Sequence, residues 1–497
     1  MVFDNNATQL RRELLIQIAK LYLNGTLFED IDRIPIAMRP RNTASTRCCV
    51  YRDRVLIKYR CMAILGMGVE EETDELRSLA SYADEALTRE EISGPILTVL
   101  DEACSACIQS NYFITNACRG CLARPCTLNC PKKAIDVEDG QAEINADKCI
   151  NCGRCMQVCP YHAIIFVPIP CEEACPVGAI SKGEGGKECI DHSLCIHCGK
   201  CLRACPFSAI MEKSQLLDVL KGFTAKRPMV AMIAPSIIGQ FNASLEQITG
   251  ALLELGFSAV IEVASGAEIT AEREAEEFQE RMQRGDRFMT TSCCPAYTEA
   301  VEKHIPALRP FVSSTQTPMH YTAEMAAQEM PDATRVFIGP CVAKKEEGRA
   351  DDLIDYVLSF EELGAMLVAK DIDVDTCQPA TPFSPAGSVG RGFPVSGGVA
   401  SAVTQRTEQD GTPVVAELMN GLTKHSLKRL KVYPKIRGTQ NFLEVMSCEG
   451  GCIGGPCCVG NEKVAAKKVE ELVKASSEET APSTDSHVDN DGTSSAA

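Results

Sequence analysis

The stretch RFMTTSCCPAYTEAVEKHIPAL, residues 287–308, contains three signals that decide the fold of the C-terminal half. A short apolar run leads into a turn with two adjacent cysteines, and a helix-like pattern follows the turn. Four further apolar runs, at 228–236, 258–264, 334–341 and 442–448, also end in small or cysteine-bearing turns. Strands that alternate with helices favour parallel sheets covered by helices. Residues 226–463 are therefore predicted to form a two-lobed α/β domain with parallel sheets.

The composition narrows the class of protein. The chain has 497 residues, of which 28 are cysteines. That many cysteines indicate either an oxidised secreted framework or metal ligation. The N-terminus has no basic segment before an apolar run and no small-residue cleavage site. Because no run of about 18 apolar residues occurs either, the sequence predicts a cytoplasmic protein with no membrane partner, whose clustered thiols hold metal.

The ends of the chain differ from its middle. Amphipathic patterns at 8–23 and 71–87 predict a helical N-terminal region over residues 1–103. Its three early cysteines have no ligand spacing and are interpreted as structural or free thiols: Cys48, Cys49 and Cys61. Residues 475–497 are rich in serine and acids and are predicted to be a disordered tail. The net charge of −17 argues against nucleic acid as a partner, because phosphate binding requires a basic face.

Residues 104–215 carry a repeated cysteine spacing. The segments CINCGRCMQVCP, residues 149–160, and CIHCGKCLRACP, residues 195–206, both read C-x2-C-x2-C-x3-C-P. This spacing is typical of ferredoxin-like modules, in which three thiolates bind one 4Fe-4S cube and the fourth binds a neighbouring cube. A zinc site would normally lack both the final proline and the duplication. The pattern therefore predicts ferredoxin-like 4Fe-4S modules that pass single electrons.

Two incomplete copies accompany this repeat. CRGCLARPCTLNCP, residues 118–131, has a longer third gap, and CEEACP, residues 171–176, has no upstream cysteine pair at the expected offset. The spacing alone leaves open which fourth cysteine serves which cube. Three accessory cubes are predicted, with a fourth if Cys104 and Cys107 take part, while Cys189 is spare. The predicted ligands of these cubes are Cys118, Cys121, Cys126, Cys130, Cys149, Cys152, Cys155, Cys159, Cys171, Cys175, Cys195, Cys198, Cys201 and Cys205.

Five more cysteines lie in turns of the C-terminal half. The turns each follow a predicted strand and contain Cys293 with Cys294, Cys341, and Cys448 with Cys452. Ligand sites in α/β proteins lie at the carboxyl ends of strands. Four of these thiols are enough to hold one more cube, so one thiol is left without a role in binding metal.

These three turns, TSCCP, GPCVAK and CEGGC, resemble in their order the signatures of the FeFe-hydrogenases, and the resemblance runs from about Cys118 to Gly460. The resemblance implies an H-cluster, which is a 4Fe-4S cube joined through one cysteine sulfur to a diiron unit with carbonyl, cyanide and azadithiolate ligands. It implies that the cube is held by Cys294, Cys341, Cys448 and Cys452, with Cys452 bridging to the diiron unit. It leaves Cys293 as the proton relay, a role that suits a thiol of tunable pKa.

The resemblance also assigns roles around the cluster. It places four residues against the diiron unit, with Lys344 donating to a cyanide: Lys344, Met446, Pro235 and Ser236. It extends the proton route through Ser313, Glu274, Glu277 and Arg281. The alternative for the two glutamates is a solvated helix face, of which the neighbouring acids Glu272, Glu276 and Glu280 are examples.

Several positions depart from the usual family pattern and predict a less-studied branch. Ala296 and Tyr297 replace a glycine and a tryptophan, Gly339 replaces a methionine, and Met319 replaces a glutamine. Two additional cysteines, Cys457 and Cys458, follow the third signature.

The expected activity is the reversible reaction 2H+ + 2e− ⇌ H2. Ferredoxin is the expected electron partner, because no G-x-G-x-x-G follows a strand, and maturation proteins are expected to supply the diiron unit. A hydrogen sensor and a Nar-type iron-sulfur assembly scaffold without the diiron unit are the alternatives. A pure polyferredoxin would leave the three C-terminal turns unexplained.

Overall fold

The fold comes from a computed structural model that describes residues 5–44, 48–70, 72–104, 107, 111–183, 185–407, 413–436 and 438–479. A helical N-terminal region leads into small antiparallel sheets, and two parallel sheets covered by helices follow. This order confirms the predicted fold class.

The N-terminal region is helical: the helices at 6–23 and 79–88 bury one face, whereas residues 59–64 are buried all round the helix at 50–64. The helices are α1 (Asn6–Leu23), α2 (Leu27–Asp30), α3 (Ile34–Met38), α4 (Val50–Ile64) and α5 (Leu79–Thr88). Helix α1 starts where the Asn5 side chain accepts a hydrogen bond from Thr8 N–H. Helix α5 starts later than the pattern at 71–87 predicted, because the Ser78 side chain caps it by accepting from Ser81 N–H.

The middle of the chain consists of short strands and single-turn helices. These elements are β1 (Leu97–Val99), α6 (Asp101–Cys104), β2 (Tyr112–Ile114), α7 (Pro125–Leu128), β3 (Ile135–Glu138), β4 (Gln141–Ile144), α8 (Arg154–Val158), β5 (Ile164–Phe166), α9 (Pro170–Ala174), β6 (Ile180–Lys182), β7 (Glu188–Ile190), α10 (Lys200–Ala204) and β8 (Ile210–Glu212). They form antiparallel pairs: β1 with β8, β2 with β5, β3 with β4 and β6 with β7.

This pairing divides the middle of the chain into two modules. The inner module spans 111–167 and contains the pairs β2–β5 and β3–β4. The outer module consists of two segments, 97–107 and 170–212, which flank the inner module in the sequence. Strand β1 of the first segment pairs with β8 of the second. The predicted boundary between residues 103 and 104 was wrong, because the register Leu97↔Glu212 makes β1 part of the outer module.

The C-terminal half alternates strands and helices as predicted. Its elements are α11 (Leu216–Thr224), β9 (Met229–Ile233), α12 (Leu245–Leu255), β10 (Ala259–Glu262), α13 (Val263–Arg284), β11 (Met289–Thr290), α14 (Pro295–His304), α15 (Pro318–Glu329), β12 (Thr334–Gly339), α16 (Ala343–Arg349), β13 (Tyr356–Ser359), α17 (Phe360–Ala369), α18 (Ser388–Arg391), α19 (Gly398–Thr407), β14 (Ala416–Asn420), α20 (Lys424–Val432), β15 (Phe442–Met446) and α21 (Glu462–Glu479).

Two parallel sheets form the two lobes. One sheet has the strand order β10-β9-β12-β13, and the other has the order β11-β15-β14. The central strands β9 and β15 are buried along their whole length and β12 is buried from Val336 onward, as expected for parallel strands covered on both faces. The three cysteine-bearing turns follow β11, β12 and β15, so the topology brings them to the carboxyl ends of both sheets.

The C-terminal helix corrects the predicted tail. Helix α21 continues to Glu479, so the boundary predicted at 475 was wrong for residues 475–479. The reason is a buried contact in which Arg391 Nη1 donates a hydrogen bond of 2.6 Å to Ser476 Oγ. The rest of the predicted tail, 480–497, lies outside the described residues. Across the described ranges, every helix is too short or too polar to cross a membrane.

Candidate functional site

The carboxyl ends of the two sheets meet at one cavity. Pro235 and Ser236 line it just after β9, and Cys341 lines it just after β12. From the other sheet, Cys293 and Cys294 follow β11, and Cys448 follows β15. Sites in this position are typical of ligand pockets in α/β proteins. All three predicted turns therefore contribute to one site.

Four thiols converge on this cavity from three turns. They are Cys294, Cys341, Cys448 and Cys452. The turn that joins the last two is fixed by Gly451, whose φ is +97° and whose missing Cβ would lie 2.4 Å from the Pro394 carbonyl oxygen. A side chain at position 451 would push this turn away from the neighbouring backbone. The glycine therefore holds Cys452 at the cavity wall.

The protonation of these thiols bears on what they can bind. Burial, together with the charges of the neighbouring thiols, raises the pKa of Cys341 to about 12, and it raises the pKa of Cys448 and Cys452 as well. Such thiolates are stable only beside a compensating cation. Within the described ranges, no group of three His, Cys, Asp or Glu side chains has the spacing to hold a single metal ion. Four soft thiolates around one cavity fit a 4Fe-4S cube, whose irons separate the ligands.

Cys293 stands apart from this set, although it lines the same cavity. Its side chain packs in an apolar cluster with Met446, Ala267 and Phe393. Burial raises the pKa of the Cys293 thiol, and the Glu274 carboxylate is the neighbouring charge that raises it most. The thiol therefore keeps its proton until a stronger base accepts it.

Glu274 is fully buried on α13, behind Cys293. Its Oε1 accepts a hydrogen bond of 3.2 Å from Ser292 N–H, while Oε2 has no hydrogen-bond partner among the described atoms. Burial raises the pKa of Glu274 to about 8. A carboxyl group with this pKa carries a proton at neutral pH and can release it nearby.

One turn further along α13, Glu277 is ionised. Although burial acts in the opposite direction, hydrogen bonds from Ser313 and Ser314 and the charge of Arg281 lower its pKa. Ser313 Oγ donates to Glu277 Oε2 at 2.7 Å, and Arg281 Nη2 donates to Oε1 at 2.6 Å. Thr315 connects the two glutamates, because its carbonyl accepts from Ser292 Oγ at 2.6 Å and its hydroxyl donates to Glu277 at 3.2 Å.

The structure thus brings together every residue expected on the proton route. Three other acids of this helix were predicted to lie on its solvated face, and all three are exposed: Glu272, Glu276 and Glu280. Thr315 and Ser292 were missed by the sequence reasoning. Ser292 directly precedes the cysteine pair, which was a usable signal, whereas nothing local marks Thr315.

The residues expected beside the diiron unit also line the cavity: Pro235, Ser236, Lys344 and Met446. Ser236 Oγ is buried and has no hydrogen-bond partner among the described atoms, so it is free to donate to a bound group. The Lys344 ammonium is held by Glu347, with an Nζ–Oε2 distance of 2.7 Å. A fixed cation and an unpaired hydroxyl on one wall fit a group with anionic ligands.

A phenylalanine explains the departure at Gly339. A Cβ at position 339 would lie 2.5 Å from Cε1 of Phe337, and the Phe337 ring lines the cavity. Phe337 therefore fills the space beside Gly339, where the family pattern has a methionine. Met319 also lines the cavity and is fully buried. Residues two apart on a strand share a face, so Phe337 and Gly339 lie on the same side of β12.

The other departures pack outside the cavity or support its wall. Tyr297 is fully buried, and its hydroxyl donates to Thr290 Oγ1 at 2.8 Å. The Cys457 thiol donates to Glu212 Oε2 at 3.6 Å, and the Cys458 thiol donates to the Ile453 carbonyl at 3.3 Å. Both thiols are buried: Cys457 connects the C-terminal half to Glu212 of the outer module, whereas Cys458 bonds within its own turn.

The cysteines of the middle region gather around three smaller cavities. The first cavity is lined by Cys118, Cys121, Cys126 and Cys159. The second cavity is lined by Cys130, Cys149, Cys152 and Cys155. The third cavity is lined by Cys175, Cys195, Cys198 and Cys201. In each set the cysteine before a proline lies with three cysteines of another segment.

Comparison with known proteins agrees with this geometry. Residues 227–456 match the family described as iron-only hydrogenase large subunit, C-terminal domain. Residues 142–165 match a 4Fe-4S binding domain, and residues 165–216 match an LdpA Fe-S cluster-binding domain.

Two curated relatives align over most of the chain. Iron hydrogenase 1 of Clostridium pasteurianum is 27% identical over 397 residues, which cover 68% of this chain and 68% of the relative. The periplasmic Fe hydrogenase large subunit of Nitratidesulfovibrio vulgaris is 29% identical over 391 residues, which cover 66% of this chain and 88% of the relative. A solved structure of the FeFe-hydrogenase HydA(deltaEFG) covers 50% of this chain and 84% of its own, with 20% identity and a TM-score of 0.43.

Proposed function

The chain belongs to the FeFe-hydrogenase family, and on that premise we propose that it catalyses 2H+ + 2e− ⇌ H2. One observation carries the proposal: a partly buried thiol, Cys293, lines the four-thiol cavity close to the buried Glu274, whose raised pKa lets it carry a proton at neutral pH. An assembly scaffold that binds only a cube has no use for such a proton donor. The cavity, the four thiols and the fixed cation Lys344 together fit an H-cluster.

In this proposal, Cys294, Cys341, Cys448 and Cys452 would hold the cube, and Cys452 would be the ligand shared with the diiron unit. Lys344 and Ser236 would donate to the anionic ligands of the cluster, and Met446 and Pro235 would pack against it. When bound, the H-cluster supplies the redox chemistry that joins protons and electrons.

The protein's own residues move the protons. The Glu277 carboxylate is half-buried and paired with Arg281, and it is the proton-transfer group nearest the surface. The hydroxyls of Ser313, Ser292 and Thr315 bond to the glutamates on either side. Glu274 holds the next proton, and Cys293 holds the last one at the cavity wall. Each site receives a proton from the outer neighbour as it releases one inward, and the reverse order serves H2 oxidation.

Electrons arrive through the accessory clusters. Cys198 lines both the catalytic cavity and the third small cavity, so a cluster held by Cys175, Cys195, Cys198 and Cys201 adjoins the active site. Reduced ferredoxin is the proposed donor, and maturation proteins insert the diiron unit. We propose the cytoplasm as the location. Activity that appears in the periplasmic fraction after cell fractionation would contradict the proposed location.

The test is H2 evolution from a reduced viologen by protein that is purified without oxygen and loaded with the diiron unit. We expect robust H2 from the wild type and almost none from Cys293→Ala. Cys377→Ala is the matched control, since Cys377 is also buried but lies on the far side of α12. Absence of H2 from a fully loaded wild type would contradict catalysis and favour a sensor. Failure to take up the diiron unit would favour the scaffold.

A further inference from the structure

The outer and inner modules share a repeat that occurs four times. The pattern C-P-x-x-A-I is found at 130–135, 159–164, 175–180 and 205–210. In every copy the alanine N–H donates to the Sγ of the cysteine, at 3.3, 3.4, 3.2 and 3.3 Å in chain order.

The residue before each alanine has a positive φ, as found for Lys133, His162, Gly178 and Ser208. The final isoleucine of each copy begins a strand, namely β3, β5, β6 or β8. Hydrogen bonds to cysteine sulfur are a normal feature of 4Fe-4S ligands. The four prolyl-linked cysteines are therefore equivalent in geometry.

The inner module shows how such cysteines are used. Cys159 joins the cavity of the first segment, with Cys118, Cys121 and Cys126. Cys130 joins the cavity of the second segment, with Cys149, Cys152 and Cys155. The prolyl-linked cysteine of each half thus completes the site of the other half.

The outer module follows the same rule on one side. Cys175 completes the site of Cys195, Cys198 and Cys201. Cys205 is the prolyl-linked cysteine of the second half. By the same exchange, it must complete the site of the first half, whose other ligands come before Cys175 in the sequence. Cys171 is separated from Cys175 by three residues, as Cys155 is from Cys159. The pair missing from this half has the spacing C-x2-C, which Cys104 and Cys107 supply.

The fold brings these four residues together. Cys104 is buried at the end of α6, and its Sγ accepts a hydrogen bond of 3.4 Å from Glu188 N–H. Cys107 and Cys205 pack against the apolar cluster that contains Cys171, and both also pack against the cluster that contains Cys104. Cys171 lies within electrostatic range of the other three thiols. The pairing of β1 with β8 positions α6 beside Cys205.

We propose that Cys104, Cys107, Cys171 and Cys205 bind a fourth accessory 4Fe-4S cluster. The first motif of the outer module then consists of Cys104, Cys107, Cys171 and Cys175. The inner module is an insertion between the second and third of these cysteines. This explains why CEEACP has no cysteine pair just upstream: the pair lies before the insertion.

The insertion also sets the order of the clusters. The inner module enters at Tyr112 and leaves at Phe166, which pair across β2 and β5. Tyr112 lines the cavity of Cys130, Cys149, Cys152 and Cys155, while Ile114, two residues further in, lines the cavity of Cys118. One electron at a time therefore passes from the Cys118 site to the Cys130 site, then to the new site, and finally to the Cys198 site beside the catalytic cavity. Each transfer oxidises one cluster and reduces the next.

The test counts iron and acid-labile sulfide in the full-length chain, purified without oxygen and without the diiron unit. We expect Cys107→Ala, Cys171→Ala and Cys205→Ala each to lose about four iron and four sulfide atoms. The double variant Cys107→Ala/Cys205→Ala should lose no more than either single variant, because both residues serve one cluster. Addition of Cys175→Ala should remove about four more iron atoms. Cys189→Ala is the control and should lose none, since Cys189 is exposed and lies outside every set.

Wild-type iron content in Cys171→Ala would overturn the proposal. A loss of about eight iron atoms in the Cys107→Ala/Cys205→Ala variant would also overturn it, because the two residues would then serve different clusters. If the alanine variants do not fold, Cys107→Ser and Cys171→Ser keep the volume, and both should alter the same single component of the EPR spectrum of the reduced protein. Changes in two different components would contradict the assignment. The iron count does not depend on H2 turnover, so it can fail while the proposed function stands.

Discussion

Ser313 joins Glu277 to Thr290, at the end of the strand that precedes the cysteine pair. Its Oγ donates to Glu277 Oε2 at 2.7 Å, and its backbone N–H donates to the Thr290 carbonyl at 2.8 Å. Thr290 is the last residue of β11, three positions before Cys293. Ser313 therefore fixes the distance between the Glu277 carboxylate and the turn that carries Cys293.

Removal of the Ser313 hydroxyl should interrupt proton transfer. We expect Ser313→Ala to lower the rate of H2 evolution by about 100-fold, the usual size of a lost proton-transfer group. The infrared bands of the loaded cluster should stay unchanged. Ser314→Ala is the control, because it also removes a hydroxyl that donates to Glu277, at 3.0 Å, but from an exposed position, and the Ser314 backbone N–H still donates at 2.9 Å. Equal rate losses in the two variants would contradict a specific role for Ser313.

The pH dependence of H2 evolution should follow Glu274. Burial raises its pKa to about 8, so the protonated form is present below that pH and is lost above it. We expect the rate of H2 evolution to fall as the pH rises through about 8, and Glu274→Gln to be inactive at every pH. The exposed Glu272→Gln is the control and should keep the wild-type profile.

The same pKa shift predicts an effect on stability. Because the folded state binds the Glu274 proton more tightly than the unfolded chain does, this group's contribution to stability is largest at low pH and is lost as the pH rises toward 8. The melting temperature of Glu274→Gln, measured without oxygen, should therefore fall less between pH 6 and pH 8 than that of the wild type. Parallel curves would contradict the raised pKa.

The close contact between Phe337 and Gly339 predicts an overpacking effect. We expect Gly339→Ala to destabilise the protein by about 1–3 kcal/mol, because the new Cβ would overlap the Phe337 ring. The double variant Gly339→Ala/Phe337→Leu should recover most of that loss. Gly364→Ala is the control, since no atom lies within 4 Å of the added Cβ and the position is helical. Melting curves recorded without oxygen would measure all three variants.

Adjacent lysines of the second signature should behave differently. Lys344 faces the cavity, whereas Lys345 is buried and pairs with Glu362 at 2.9 Å and with Glu212 of the outer module at 3.5 Å. Lys345→Met should destabilise the protein by about 3–5 kcal/mol, because it leaves Glu362 charged and buried. Lys344→Met should instead keep the melting temperature and reduce uptake of the diiron unit, as measured by the carbonyl and cyanide infrared bands.

The Glu362 side chain offers a check on this interpretation. Although burial opposes it, the charge of Lys345 lowers the pKa of Glu362, so the pair's contribution to stability is present at neutral pH and is lost on acidification. The double variant Lys345→Met/Glu362→Gln removes the unpaired charge and should regain part of the lost stability. No recovery would show that the lysine stem, and not its charge, stabilises this region.

The sequence predicted part of the cysteine arrangement because parallel strands place their carboxyl ends at one edge. Once the runs at 287–294 and 442–448 were identified as strands, the turns with Cys293 and Cys448 were expected at one sheet edge. Cys341 follows a strand of the other sheet, so only the packing of the two sheets brings it to the same cavity. Residues three and four positions apart lie on the same side of a helix, so the spacing of Glu274, Glu277 and Arg281 places them together.

Other parts of the site depended on contacts that no local pattern contains. Cys107 and Cys171 are separated by a whole module, and only the pairing of β1 with β8 brings them together. Periodicity identified 334–341 as a strand but did not tell which side chain fills the space beside Gly339. The end of α21 was missed because Ser476 reads as a polar residue, although it is buried against Arg391.

The entry and exit of the inner module have a consequence for how such proteins diversify. Because Tyr112 and Phe166 are neighbours, the segment between them can be excised or exchanged while the flanking chain ends stay side by side. Exchange of this segment changes the distance over which the accessory clusters carry electrons and the protein surface that an electron donor contacts. It leaves the chemistry at Cys293 untouched, so the choice of donor and the reaction itself can evolve separately.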